Sequence, residues 1–264
     1  MALTNSQIER YSRNIALKEV GKIGQEKLLG ARVLVIGAGG LGSSGAMYLA
    51  AAGVGTIGIV DADRVELSNL QRQILHTTRD IGKQKAVSAK EAMEALNPDV
   101  KIHAYDMLAD ASNLRGLVRE YDFIIDATDN FAAKFSINDA CVYENKPFCH
   151  AGILRFGGQL MTYVPGMGPC YRCIFEKEPP KDAVLNCKQA GIFGAVCGAI
   201  GSLQAMEAVK YILGEGELLI GRLLTVDALS MGFRKVKLSK NKRCAACAQR
   251  AAYDSPCESA DFNI

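Results

Sequence analysis

The sequence predicts an α/β fold: a doubly wound, mostly parallel sheet with an antiparallel C-terminal extension. Three observations lead there. Short apolar runs alternate with helix-patterned segments from residue 32 to residue 153, the order of a parallel sheet covered on both faces. A glycine cluster, Gly37-Ala-Gly39-Gly40-Leu-Gly42, directly follows the apolar run at 33–36. After Arg155 the alternation stops, and two Cys-x-x-Cys pairs, Cys170/Cys173 and Cys244/Cys247, bracket most of the C-terminal part of the chain.

Taken in order, residues 8–17 and 22–29 read as short helices stopped by Gly21 and Gly30. Residues 32–36 are a buried strand, 41–52 an alanine-rich helix ending at Gly53, and 56–60 the second strand. A helix over 82–96 closes at Asn97-Pro98, because a residue before proline leaves the helical region. Strand 100–105, helix 112–120, strand 121–126, helix 130–144 and strand 148–153 continue the alternation. Then come a strand at 157–164 leading to the first cysteine pair, a loop at 179–189 and a long apolar helix at 190–213. A closing hairpin, 223–226 with 233–238, carries the second pair.

The 264 residues suit one large domain or one with a small appendage, and 49% apolar content supports a sizeable core. A net charge of +3, mixed along the chain, argues against a nucleic-acid binder. The one basic cluster, 235–243, reads as a solvated face. Residues 1–13 are polar and carry no secretory leader. The most lipophilic stretch, 190–203, is shorter than the ~20 residues that span a bilayer. No membrane role and a cytoplasmic location are therefore expected. There, nine cysteines read as metal ligands or reactive thiols rather than a disulfide framework.

Gly37, Gly39 and Gly42 form G-x-G-x-x-G between a strand and a helix, a Rossmann-like nucleotide loop. Glycines permit the tight turn and let phosphate oxygens approach backbone N–H groups, and the helix N-terminus favours negative charge. Asp61 and Asp63 end the next strand, where an acid can bind ribose hydroxyls. The loop alone would suggest NAD. The polar run Ser68-Asn69-Leu70-Gln71-Arg72-Gln73 and Lys85 shift the balance, since two cations, Arg72 and Lys85, suit a triphosphate better than a pyrophosphate diester. Asp126-Ala-Thr-Asp129-Asn130 ends the fourth strand, where a carboxylate can hold Mg²⁺ on phosphates. Asp129 or Asn130 could equally cap the next helix.

With these residues in hand, the chain resembles the ThiF/MoeB/HesA family, bacterial relatives of ubiquitin-activating enzymes, from about residue 8 to 247. The markers are Arg10-Tyr11-Ser12-Arg13, the glycine loop, Asp61-x-Asp63, the run from Ser68 to Gln73, Lys85, Asp129-Asn130, the two cysteine pairs, Cys187-Lys-Gln-Ala-Gly191 and Gln204-Ala205-x-Glu207. The resemblance implies ATP-dependent adenylation of a small β-grasp carrier protein ending in Gly-Gly, feeding molybdopterin, thiamine or related sulfur transfer. It implies an ATP site lined by Gly40, Asp61, Asn69, Arg72, Lys85 and Asp129, with Asp129 on the metal. Arg13 matches an arginine that reaches into the partner subunit, which implies a homodimer with composite sites; otherwise it is a surface cation. The family places a cysteine at Cys187 that takes an acyl group during transfer, and members differ in whether they need it. On this reading residues 1–155 form the nucleotide-binding part, 156–247 a continuous C-terminal part with the carrier surface, and 248–264 a tail. No room is left for a sulfur-transfer domain, so a separate sulfur donor is expected.

Cys170, Cys173, Cys244 and Cys247 read as four thiolates on a structural Zn²⁺, with a redox disulfide as runner-up. Cys141, Cys149 and Cys197 lie in apolar surroundings and read as core, and Cys257 as tail. Gly194, Gly198 and Gly201 form a small-residue stripe suited to close packing on a sheet face, a dimer partner or the core. His76, His103 and His150 have no neighbours at ligand or triad spacing and are given no role. Three rival functions stay open: an NAD-dependent oxidoreductase, a non-catalytic module that holds a β-grasp partner, and an enzyme adenylating a different carboxylate or an RNA base.

Overall fold

The computed structural model describes residues 3–180 and 190–248. The sheet has eight strands: β1 (Arg32–Ile36), β2 (Thr56–Val60), β3 (Lys101–Tyr105), β4 (Phe123–Asp126), β5 (Phe148–Leu154), β6 (Gly157–Tyr163), β7 (Arg222–Asp227) and β8 (Gly232–Lys237). Their spatial order is β3-β2-β1-β4-β5-β6-β7-β8. The first five in that order pair in parallel and the last three are antiparallel.

The strands alternate with helices α1 (Asn5–Arg10), α2 (Ser12–Ile15), α3 (Gly21–Gly30), α4 (Gly40–Ala52), α5 (Lys85–Leu96), α6 (Leu114–Arg119), α7 (Phe131–Tyr143), α8 (Tyr171–Ile174) and α9 (Gly194–Leu213). Chain order reverses between β1 and β4, which opens a crevice at the carboxyl ends of those two strands.

The run Arg32–Ile36 fixes why the sheet is covered twice. Side chains alternate across a strand. Val33 and Val35 enter one core with Leu49, Ala89, Met93 and Ala208. Leu34 and Ile36 enter a second core with Val118, Phe135 and Ile137. Every second residue needs a helix to cover it, and α4, α5 and α9 lie on one face while α6 and α7 lie on the other.

Helix α9 packs closely on α4. A Cβ at Gly201 would lie 2.2 Å from the Leu41 carbonyl oxygen, and one at Gly194 would lie 2.2 Å from that of Gln71. Gly198 faces open space. Gly194 and Gly201 therefore serve close packing within the chain, and Gly198 does not. Gln204 on α9 braces the sheet below, its Nε2 donating to the carbonyls of Asp126 (2.8 Å) and Cys149 (3.1 Å).

Several boundaries differ from the sequence reading; the long helix expected from 190, for one, begins at Gly194, since Ile192 bridges to Arg155. The helix expected over 8–17 divides at Tyr11, whose buried ring lies against Gly53 and whose hydroxyl accepts from Asn97 Nδ2 at 2.9 Å. Gly21 opens α3 with φ +56° rather than ending a helix. Helix α5 starts at Lys85, because Gly82 takes φ +87° and Gln84 bridges to Arg64. Strand β8 is the outer edge of the antiparallel side, exposed along most of its length and carrying Arg234, Lys235 and Lys237. No helix among the described residues is long and apolar enough to cross a membrane.

Candidate active site

The glycine loop is built by contacts that exclude side chains. Gly37 has φ +101°, open only to glycine at low cost, and its N–H donates to the Val60 carbonyl at 2.8 Å. A Cβ at Gly42 would sit 1.8 Å from the Gly37 carbonyl oxygen. The loop thus folds onto the first turn of α4. The N–H groups of Gly39, Gly40 and Leu41 have no acceptor among the described residues. Free N–H groups at the start of a thirteen-residue helix form an anion site.

Asp61, expected on the ribose, braces the loop. Its Oδ2 accepts from Ala38 N–H at 2.8 Å and its Oδ1 from Asp63 N–H at 2.9 Å. Burial raises its pKa, opposed by the Lys85 cation. Asp63 is exposed and accepts from Lys85 Nζ at 2.8 Å. Lys85 itself is 5% exposed at the N-terminus of α5, where the helix dipole disfavours a cation. The Asp63 carboxylate pairs with it, and Asp61 lies close by.

The run from Ser68 to Gln73 folds around a single turn of 3₁₀-helix, Leu67–Asn69. Asn69 is buried and its Oδ1 accepts from Glu66 N–H at 3.2 Å, so it shapes the turn. Ser68 Oγ donates to the Glu66 carboxylate at 3.2 Å. Leu70 is half-buried and Gln71 exposed. Arg72 donates from Nη1 to the Ser68 carbonyl at 3.0 Å, and its stem crosses Gly40, 3.5 Å from where a Cβ would be. Gln73 is buried beside Gly39, and its Oε1 has no hydrogen-bond partner among the described residues.

Asp126 and Asp129 flank the same short turn and do opposite things. Asp126 is fully buried. It accepts from His150 Nδ1 at 2.8 Å and Thr128 Oγ1 at 2.7 Å, and Lys134 Nζ stands 3.4 Å away. Burial raises its pKa, but the Lys134 cation and the His150 hydrogen bond more than offset this and hold it well below the usual carboxylate range. Lys134 also donates to the carbonyls of Thr128 (2.7 Å) and Ala151 (2.8 Å), tying down the loop that presents Asp129. Asn130 caps α7, its Oδ1 accepting from Ala133 N–H at 2.8 Å. Asp129 is exposed and has no side-chain partner among the described residues. Lys134→Met, which leaves the Asp126 charge buried and unpaired, is expected to cost about 3–5 kcal/mol. Thermal denaturation would read this as a fall in Tm of about 10 °C, partly recovered by adding Asp126→Asn.

Structure therefore gathers Gly39, Gly40, Arg72 and Gln73 around one loop. Lys85 and Asp63 join it through Asp61, and the β4–α7 turn through Gly37, which abuts Ala127. Arg13 is not part of this group. It is exposed on α2, which packs on α1 and α3, and has no partner among the described residues. Cys187 lies outside the described residues, as does Cys257. Sequence reasoning missed His76, Lys134 and His150, all buried and all bonded to residues far away in the chain. Cys141, Cys149 and Cys197 are buried core residues.

The Sγ atoms of Cys170, Cys173, Cys244 and Cys247 all lie within 4.8 Å of one another, with Cys170–Cys244 at 3.6 Å and Cys173–Cys247 at 3.4 Å. None is in a disulfide. Tetrahedral Zn–S bonds of about 2.3 Å place sulfurs roughly 3.8 Å apart, so the set fits a zinc ion. Burial pushes the Cys170 thiol far up, and a cation in the centre would reverse that.

Family comparison narrows the rival readings. The profile of the ThiF family matches residues 11–246. The chain belongs to the ThiF family. It is 46% identical over 252 residues to the sulfur carrier protein adenylyltransferase of Thermus thermophilus, covering 94% of this chain and 93% of that one. It is 45% identical over 249 residues to the SAMP-activating enzyme E1 of Haloferax volcanii, covering 94% and 92%. A longer relative, the adenylyltransferase and sulfurtransferase MOCS3 of Drosophila sechellia, is 47% identical over 246 residues, and the match spans 93% of this chain but 54% of that protein. Among solved structures, Escherichia coli MccB with ATP superposes with a TM-score of 0.78 at 26% identity, covering 90% of this chain and 74% of MccB. This ThiF-family chain is thus an enzyme, an adenylyltransferase, and the oxidoreductase reading falls.

Proposed function

We propose that this chain adenylates the C-terminal glycine carboxylate of a small β-grasp sulfur-carrier protein ending in Gly-Gly, using ATP and Mg²⁺ and releasing pyrophosphate. The observation that carries the reading is the glycine loop. Its free N–H groups, the Arg72 stem across Gly40 and the Gln73 Oε1 form a polar cradle without a protein ligand among the described residues. The names of the Thermus thermophilus and Haloferax volcanii relatives support a carrier protein as the substrate. A carrier oxygen attacks the α-phosphorus, and the bond from that phosphorus to the bridging oxygen of pyrophosphate breaks. A carboxylate is already a nucleophile, so no general base is needed. The protein's tasks are position and charge neutralisation. The loop amides, Arg72 and Lys85 face the phosphates. Asp129 would hold Mg²⁺, which neutralises phosphate charge. The four cysteines hold a structural zinc, and the adenylated carrier then receives sulfur from a separate donor.

The test is ATP–pyrophosphate exchange with a panel of Gly-Gly-ending carriers. Exchange that depends on one carrier would name the substrate. Exchange with none, by protein that binds ATP, would move the assignment to another carboxylate; no ATP binding would favour a non-catalytic module.

The site is composite on this reading: Arg13 of one protomer acts in its partner's site. Arg13→Ala and Asp129→Ala proteins, each inactive alone, are then expected to regain roughly a quarter of wild-type exchange when refolded together, since each mixed two-fold dimer keeps one intact site. No recovery on mixing would return Arg13 to the surface.

A further inference from the structure

His76 has no part in the chemistry above, yet it is 4% exposed and joins two elements far apart in sequence. Its Nε2 is 3.1 Å from the Ala38 carbonyl oxygen, in the glycine loop, and its Nδ1 is 2.9 Å from Ser88 Oγ on α5. A carbonyl only accepts, so Nε2 carries the proton and donates. The neutral ring then leaves a lone pair on Nδ1, which accepts from the Ser88 hydroxyl. Burial lowers the His76 pKa; the Ala38 bond, Asp61 and Asp80 oppose the shift and Lys85 adds to it.

Ala38 is therefore held at both ends, its N–H by Asp61 and its C=O by His76. A trans peptide is planar, so the Ala38 C=O and the Gly39 N–H point in opposite directions. Drawing the carbonyl inward turns the Gly39 N–H outward, and that N–H has no acceptor among the described residues. The neighbouring glycines are closely packed: a Cβ at Gly37 would lie 2.8 Å from the Ala127 carbonyl oxygen, and one at Gly42 would clash outright. Gly39 has no such restraint, with nothing nearer than 3.8 Å. The Ala38–Gly39 peptide is held at its carbonyl by His76.

We propose that His76 is a positioning residue whose Nε2–H fixes the Ala38–Gly39 peptide so that the Gly39 amide faces a nucleotide phosphate. This rests on reading the loop as the phosphate cradle.

The test compares His76→Phe, which fills the space without a donor, with His76→Gln, whose carboxamide nitrogen can reach where Nε2 stood. Calorimetry with ATP and with adenosine, on full-length protein without carrier, separates phosphate from base and ribose. His76→Phe is expected to weaken ATP about tenfold, the loss of one buried hydrogen bond, with adenosine affinity unchanged. His76→Gln should recover most of the loss. Ser88→Ala, which keeps the ring but frees its tautomer, should show a smaller loss of the same kind, and it keeps the test open if the phenylalanine protein does not fold. Equal ATP affinity in wild type and His76→Phe, no rescue by glutamine, or parallel losses of ATP and adenosine would each overturn the inference while leaving the proposed function intact. No ATP binding by wild type would remove the cradle reading itself, and this inference with it.

Discussion

Asp129→Ala is expected to fold normally and to lose carrier-dependent ATP–pyrophosphate exchange by a factor on the order of 10³. Both halves rest on where Asp129 sits. It is exposed and has no side-chain partner among the described residues, so its removal unpairs nothing. It also comes just after the strand beside the glycine loop, where, on the proposed function, a carboxylate would meet the phosphates and their metal. The neighbouring acid cannot take over. Asp126 is wholly buried and occupied by His150, Thr128 and Lys134. Exchange kinetics at varied Mg²⁺, beside a circular-dichroism melt, would check both halves. Exchange within a few-fold of wild type would take Asp129 out of the metal site.

The second large effect concerns stability. Removing zinc with a strong chelator, or replacing Cys244 with serine, is expected to lower Tm by on the order of 10 °C or more, a loss of several kcal/mol. The cluster joins α8, which comes after β6, to the segment after β8, across seventy intervening residues. Cys170, Cys244 and Cys247 pack into the same apolar core as Phe135 and Tyr171. Without a metal, four crowded sulfurs would be left in that core with only weak S–H···S contacts to one another. Metal analysis should find about one zinc per chain, four thiolates making a closed tetrahedral set. Metal-free protein with an unchanged melt would refute the structural role.

What could be read from the chain divides along physical lines. Strands 32–36 and 56–60 were legible to the residue, because an apolar run bounded by glycine leaves little choice of register. The end of α4 was legible too, since Gly53 adopts the left-handed cap that glycine favours. Helix starts were not. The break at Tyr11 depends on a ring contact with Gly53, and the late start of α5 on a bridge from Gln84 to Arg64. Both are tertiary facts with no local signal. At the site, glycine spacing located the loop, but residue type could not say what each polar group does. Asp61, Asn69 and Asn130 are suited to binding a ligand and equally to bracing a backbone, and each makes bracing bonds. His76 and His150 looked solitary because their partners lie 38 and 24 positions away.

One end of the sheet has a bearing on how this protein behaves in concentrated solution. Among the described residues, strand β8 ends the sheet with one row of backbone donors and acceptors unpaired, and it is exposed along most of its length. Such a rim invites stacking with another copy and growth into fibres. Arg234, Lys235 and Lys237 stand on it with no acidic residue among them. Two such rims brought together would face charge with like charge before any ladder could form. The lysines on that strand thus act as a colloidal guard, keeping separate molecules from zipping into one another.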